Sequence, residues 1–272
     1  MRWPNKFLLI WVGLTSVFLT WQPTALAQAL PLAPAIAFDS FNGTYHLSRD
    51  ANGRSLLTSE EVILADFPGN GQFYGITRSI PKTYQGRSVD VRVLNVTDAS
   101  GNPVPYKTAS DKSGELVLTI GDNGITIYGL QTYRISYQTR DVINLNTPQN
   151  QFLLNVNGRG WSQPFNQVSA VVHLPASFSA DLTSKPSCYI GYLNATSLEC
   201  SVTTQKQAGE TVITSKAIGQ VAPQHALVVK LNFKLATFTA PKSFWTNGHQ
   251  AIVGVTVLAV VMSGLWRFKN RH

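Results

Sequence analysis

The chain has 272 residues, 44% of them hydrophobic and 13% charged, with 20 glycines and 14 prolines. That length permits one large domain or two small ones with a sizeable core, and the low charge with abundant Thr, Ser, Tyr and Val fits an all-β exported protein rather than a helical one. The formal charge of +8 does not mark a nucleic-acid binder. Arg2, Lys6, Arg267, Lys269 and Arg271 flank two terminal apolar runs, and the remaining Lys and Arg are scattered without a basic-aromatic patch.

Residues 1–27 have the three parts of a cleavable signal peptide. Arg2 and Lys6 form the positive start, residues 7–21 the apolar centre, and Ala25-Leu26-Ala27 the small-x-small cleavage site. Residues 28–37 follow as an Ala/Pro-rich leader with little folding content.

From Phe38 the pattern becomes strands and turns. Residues 41–49 read as a strand, Asp50-Ala51-Asn52-Gly53 as a turn, and residues 55–67 as a second long strand. Residues 67–81, rich in Gly and Asn, read as loop. Val89, Val91 and Val93 alternate with Asp90 and Arg92 in a half-buried strand over 87–97. Residues 98–105 and 111–114 are turns by composition. Asp122-Asn123-Gly124 is the strongest hairpin signal, joining a strand at 115–120 to Ile125-Thr126-Ile127-Tyr128.

In residues 129–139, Tyr133, Ile135 and Tyr137 share one face. The Leu-x-x-Tyr approach to this strand fits either a tyrosine corner, with the Tyr133 phenol tied to backbone, or a plain Tyr-rich core strand. Strands follow at 151–156, at 168–174 (read as buried on both faces) and at 211–216. The last runs over 225–238, where Val229, Leu231, Phe233 and Leu235 alternate against lysines. The expected architecture is a sandwich-like ectodomain of about ten to twelve strands over 38–238, divisible near 141–150 if it is two domains.

After a stalk at 239–250, residues 251–266 form the apolar run expected to be a transmembrane helix. Sixteen residues give roughly 24 Å of helix, short of a ~30 Å hydrocarbon core, so Trp245 and Trp266 are expected at the two interfaces. The tail, 267–272, carries Arg267, Lys269 and Arg271. The positive-inside bias then predicts a single-pass type I protein of the cell membrane with a cytoplasmic C-terminus.

Cys188 and Cys200 are an even pair in an exported context, which favours one disulfide over two buried thiols. His46, His173, His225 and His249 match no metal-ligand spacing, and no nucleophile elbow, phosphate loop or dinucleotide loop is present. No catalytic residue, metal or cofactor is assigned. Glu60 and Glu61 are neighbours on a strand, so their carboxylates point to opposite faces and do not form an acid/base pair.

Several segments in order carry a resemblance. They are YHLSRDANGRS (45–55), a Glu in the following strand, FPGNGQFYGITRSIP (67–81), GLQTYRISY (129–137), FLLNVNGRGW (152–161), VVHLP (171–175), and Cys188-x-x-Gly191 with Cys200 beyond. Together they resemble the N-terminal domain of the bacterial predicted-membrane-protein family DUF2207. The resemblance implies an exported β-rich domain beside transmembrane helices, with no established activity to carry over.

It also directs attention to two residues. Arg78 lies between Ile76 and Ile80, so its charge needs a partner. Glu60 is the expected one, in a partly buried pair; the alternative is that Arg78 faces a ligand carboxylate or phosphate. Trp161, set among glycines, either caps the core or offers a stacking platform for a sugar. The function expected is a membrane-anchored module that binds or scaffolds an envelope protein or polymer. The alternatives are an envelope hydrolase or carbohydrate-processing protein with a non-local site, and a small subunit of a membrane complex.

Overall fold

The computed structural model describes residues 35–241 except 85, 192–196, 198 and 208. The expected signal peptide, the leader up to residue 34, the stalk from 242 on, the span at 251–266 and the tail lie outside the described residues. Among the described residues no helix is long and apolar enough to cross a membrane.

The chain is all-β. Its strands are, in order, β1 (Ala37–Arg49), β2 (Ser55–Phe67), β3 (Gly75–Ile80), β4 (Thr83–Tyr84), β5 (Arg87–Ser88) and β6 (Asp90–Thr97). There follow β7 (Tyr106–Ser110), β8 (Leu116–Gly121), β9 (Gly129–Arg140), β10 (Ile143–Asn144), β11 (Asn150–Asn155) and β12 (Phe165–Pro175). A single helical turn, α1 (Ala176–Ser179), precedes β13 (Ser187–Gly191), β14 (Cys200–Gln207), β15 (Glu210–Ala217) and β16 (Ala226–Phe233). A seven-stranded sheet runs β14-β15-β12-β1-β2-β9-β6, a four-stranded sheet β10-β11-β16-β13, and a three-stranded sheet β3-β8-β7, with β4-β5 a two-stranded hairpin. The β1–β12 pair is parallel, and the other strand pairs are antiparallel.

The sixteen strands among the described residues exceed the expected ten to twelve. Three of them, β4, β5 and β10, are two residues long, too short to show a period. A fourth, β3, lies where Gly and Asn make the composition read as loop. The strand β12 is buried on one face rather than two: Val168, Ala170, Val172 and Leu174 are buried while Ser169, Val171 and His173 are half-buried. Apolar Val171 on the outer face obscured that alternation. The last strand stops at Phe233, leaving Leu235 exposed.

Three hairpin turns share one device. Asp50, Asp98 and Asp111 each accept backbone N–H bonds on the carboxylate, including that of the residue four positions on. Three positions after each Asp stands a glycine with positive φ, at Gly53, Gly101 and Gly114. That conformation carries little steric cost for Gly, and the Asp side chain substitutes for a backbone partner. Asp122-Asn123-Gly124 behaves differently. Strand β8 pairs with β3 and β7, and after Gly124 the chain crosses to form an isolated bridge between Ile127 and Phe73. Tertiary pairing overrides the local hairpin signal there.

The inward face of the seven-stranded sheet contributes Phe41, Tyr45, Leu47, Ile63, Ile135 and Val172 to a core that also contains Phe152, Leu154, Leu231 and Phe233 of the four-stranded sheet and Ile76, Leu118 and Ile120 of the three-stranded one. Cys188 on β13 is disulfide-bonded to Cys200 on β14, with Cα atoms 6.2 Å apart, and so ties the four-stranded to the seven-stranded sheet.

Candidate functional site

The alternation of β3 turns Ile76, Arg78 and Ile80 inward, so the guanidinium enters the core. On β2 the inward set is odd-numbered and includes Leu57, Ser59, Glu61 and Ile63. The partner of Arg78 is therefore Glu61, not Glu60. Arg78 Nε donates to Glu61 Oε2 at 2.8 Å and Nη2 to Oε1 at 2.7 Å. Nη1 donates to the Ser79 carbonyl at 2.7 Å. The Tyr137 hydroxyl donates to Glu61 Oε1 at 2.7 Å, and the Arg78 Cζ lies 5.4 Å from the Phe41 ring centroid. Both charged side chains are essentially inaccessible, at 2% and 0% exposure. A buried ion pair of this kind is tolerable because all three guanidinium nitrogens and both carboxylate oxygens are hydrogen-bonded.

Burial alone pushes the Arg78 pKa down, but the charge and hydrogen bonds of Glu61 outweigh it and hold the guanidinium above its ordinary value. Burial, and then the Glu61 charge, push the hydroxyls of Tyr45 and Tyr137 up.

Glu60 points outward, exposed, with Arg134 at 3.9 Å. The misassignment has a physical source. Leu57, Ile63 and Phe67 lie on one face of β2, and Leu56, Val62 and Leu64 on the other, so the sequence leaves the register open by one residue. Trp161 is buried in an aromatic cluster, edge-on to Phe38 at 4.8 Å and to Phe165 at 5.1 Å. Its Nε1 donates to the Asn157 carbonyl at 2.6 Å. Such a side chain caps the core and offers no face to a sugar. Tyr133 is a core residue of β9, edge-on to Phe67, and burial raises its pKa to about 12. The backbone tie expected of a tyrosine corner is made instead by Tyr45, whose hydroxyl donates to the Val156 carbonyl at 3.3 Å. Neither Tyr45 nor Tyr137 stood out in sequence as part of a polar network. The available signal was Tyr at inward positions of long strands, since a buried phenol needs a partner.

Beside the ion pair lies a cavity of about 480 Å³. Leu57, Val142 and Phe152 supply apolar wall, Arg78 and Tyr137 polar lining, and Glu115 and Arg159 one carboxylate and one guanidinium. A smaller hollow of about 360 Å³ also touches Pro81, Glu115, Asn155 and Arg159. From β11 the lining takes four consecutive residues, Phe152, Leu153, Leu154 and Asn155. A strand seen face-on contributes alternate residues, so here its edge faces the space. Strand β10 pairs with Gln151 and Phe152 and goes no further. The Leu153 N–H donates to the hydroxyl of Tyr84, which stands on β4. Burial raises the pKa of that hydroxyl.

A second cluster lies on the outward face of the large sheet. The parallel register sets His46 beside His173, their rings stack at 4.3 Å, and His173 Nδ1 lies 3.2 Å from both Glu210 carboxylate oxygens. Among the described residues no group of three or more His, Cys, Asp or Glu is placed to hold a metal ion.

A mostly antiparallel domain with a buried Glu–Arg–Tyr network and an adjoining cavity is the class of protein these observations define. Residues 40–233 match the family described as Predicted membrane protein (DUF2207) N-terminal domain, and the chain belongs to that family. The curated proteins contain no match to the chain. Among solved structures, an M1 zinc metallopeptidase of Deinococcus radiodurans bound to a Tyr-Ser-Ala substrate is similar with a TM-score of 0.43 and 13% identity, over 71% of this chain and 42% of that one. Leukotriene A4 hydrolase of Saccharomyces cerevisiae is similar with a TM-score of 0.46 and 10% identity, over 72% of this chain and 29% of that one. The chain thus spans less than half the length of either protein.

Proposed function

We propose that this protein is a membrane-anchored, extracytoplasmic binding module whose sandwich-like domain takes an envelope partner at the cavity beside Arg78. In this reading residues 1–27 are removed as a signal peptide, 28–37 form a leader, and 38–238 make up the ectodomain. Residues 239–250 are the stalk, 251–266 the single span, and 267–272 the cytoplasmic tail. The observation that carries the proposal is the cavity of about 480 Å³ with apolar walls and a few converging polar groups, the usual form of a binding site. Among the described residues its lining includes one carboxylate, Glu115, and no histidine, which favours binding over hydrolysis.

The exit of the chain supports the anchored arrangement. Thr239 N–H donates to the Gly53 carbonyl, and the Thr239 hydroxyl donates to that of Asn52. The turn between β1 and β2 therefore lies beside the start of the stalk. Leu57, only a few residues from that turn, lines the cavity, so the site lies toward the end of the long strands from which residue 239 leaves the domain.

Site-directed photocrosslinking tests the proposal. The full-length chain in its own membrane would carry a benzophenone side chain at Thr83, which lines the cavity, or at Thr203, on the exposed edge strand β14. A light-dependent adduct of defined mass is expected at Thr83 alone. No adduct, or the same adduct from both positions, overturns the proposal. A C-terminal fluorescent fusion that matures only in the cytoplasm tests the orientation and is expected to fluoresce.

A further inference from the structure

Resting on the binding-module reading, we infer that the ligand is an extended segment of another polypeptide, which pairs with the open edge of β11 at Leu153–Asn155. Strand β11 has β16 on one side along its whole length, from Asn150 opposite Phe233 to Asn155 opposite Val228. On its other side β10 covers Gln151 and Phe152 and stops. The backbone groups of alternate residues point to the same side of a strand. Leu153 N–H points away from β16, toward Tyr84, and the N–H and C=O of Asn155 therefore point the same way. An unpaired strand edge facing a hollow is a template for another strand, and main-chain hydrogen bonds supply affinity in that mode.

Side chains of the β4–β5 hairpin stand where the missing strand would be. The Tyr84 hydroxyl accepts the Leu153 N–H, and Arg87 Nη2 donates to the Ile143 carbonyl on β10. The first takes the place of a strand-to-strand bond on the β11 edge, and the second caps the far edge of β10, one strand further out. A peptide carbonyl placed at Leu153 takes over the bond of the Tyr84 hydroxyl.

The surroundings define the sequence such a segment needs. Its side chains alternate, one set entering the cavity toward Leu57, Val142 and Phe152, which suits apolar, β-branched residues. The alternate set faces the mouth, where Glu115 and Arg159 suit polar or charged residues. A proline at the central position is excluded, because its nitrogen has no proton to donate.

The test uses the full-length chain in detergent micelles and a blocked pentapeptide, acetyl-Thr-Val-Thr-Val-Thr-amide. Amide hydrogen exchange is followed by mass spectrometry in wild type, Tyr84→Phe, Asn155→Ala and Asn155→Pro. Peptide is expected to slow exchange of Leu153 and Asn155 in wild type. It should bind Tyr84→Phe roughly threefold to tenfold more tightly, because the competing hydroxyl is gone. Asn155→Ala keeps the backbone donor and should still bind, whereas Asn155→Pro, which lacks it, should not bind. The same peptide with its central amide N-methylated is expected to lose binding to wild type, a control that needs no altered protein. Absence of protection at Leu153 and Asn155 in both wild type and Tyr84→Phe, or equal binding of the N-methylated peptide, overturns the inference. If the Thr83 crosslink still forms in that case, the cavity binds something other than a strand and the binding-module reading stands. If it does not form, both fail.

Discussion

The Glu61 carboxylate and the Arg78 guanidinium meet in a two-point contact, at 2.7 and 2.8 Å, with both side chains buried. This pair joins β2 of the seven-stranded sheet to β3 of the three-stranded one, and Tyr137 on β9 completes it. Removing one partner leaves the other charge buried and alone. Arg78→Ala is therefore expected to destabilise the domain by about 3–5 kcal/mol in urea denaturation. Replacing both, as Glu61→Leu with Arg78→Met, should cost markedly less. Glu60→Ala should stay within about 0.5 kcal/mol of wild type, since its exposed contact with Arg134 is weak. A large effect of Glu60→Ala would contradict the assignment of the pair.

Gly158 is held at φ +70°, and a Cβ there would meet Arg78 Nη1 at 2.5 Å. Gly158→Ala combines left-handed strain with pressure on the ion pair. It is expected to cost on the order of 1–3 kcal/mol from the backbone alone, measured by thermal unfolding. Gly160→Ala should be milder, because its nearest neighbours are Ser79 side-chain atoms at 3.5 Å and its φ is not in the left-handed range.

Alkaline pH should unfold the domain through its buried phenols. The hydroxyl of Tyr137 is raised above its ordinary value of 10.0 by burial and by Glu61, and that of Tyr45 likewise. Above roughly pH 10 the unfolded chain has released protons that the folded chain retains, so stability falls as pH rises. In a spectrophotometric titration, tyrosinate absorbance from Tyr45 and Tyr137 is expected only as circular dichroism reports unfolding. Tyr137→Phe should make the alkaline limb shallower.

Mild acid should act through His46. Burial and the adjacent His173 lower its pKa from 6.5, with Glu210 and Glu60 opposing. Below about pH 6.5 the unfolded chain binds more protons than the folded one, so this contribution reduces stability as pH falls through that range. The ring is largely exposed, so the effect is small. His46→Gln is expected to flatten the slope of stability between pH 7 and 5, as followed by urea midpoints.

Reduction of the Cys188–Cys200 bond, or Cys200→Ala with Cys188→Ala, frees a loop of twelve positions between two sheets. The loss is roughly 3 kcal/mol on the loop-entropy model. A drop in Tm on adding reductant, absent in the double variant, is the expected result.

Much of the strand content was legible because two signals survive without tertiary context. Period-two alternation marks β6, β9 and β16, and Asp/Gly turns at Asp50, Asp98 and Asp111 punctuate the chain. The cavity was not legible. Its lining comes from β2, β3, β4, β9, β11, β13 and β16, and no local pattern brings such distant segments together. Short β4 and β10 carry no period, yet β10 leaves the β11 edge open and β4 fills it with the Tyr84 side chain.

By itself the sequence determined the all-β class, the family, the two cysteines of the disulfide and the need of Arg78 for a carboxylate partner. Each depends on residue type or on spacing along one strand. Only the tertiary structure decided that the carboxylate is Glu61, that Trp161 is core, that Tyr45 rather than Tyr133 ties to backbone, and that β11 has a free edge. These turn on a register that slips by one residue and on contacts between distant strands. Sheet pairing and core packing settle both, and both are non-local.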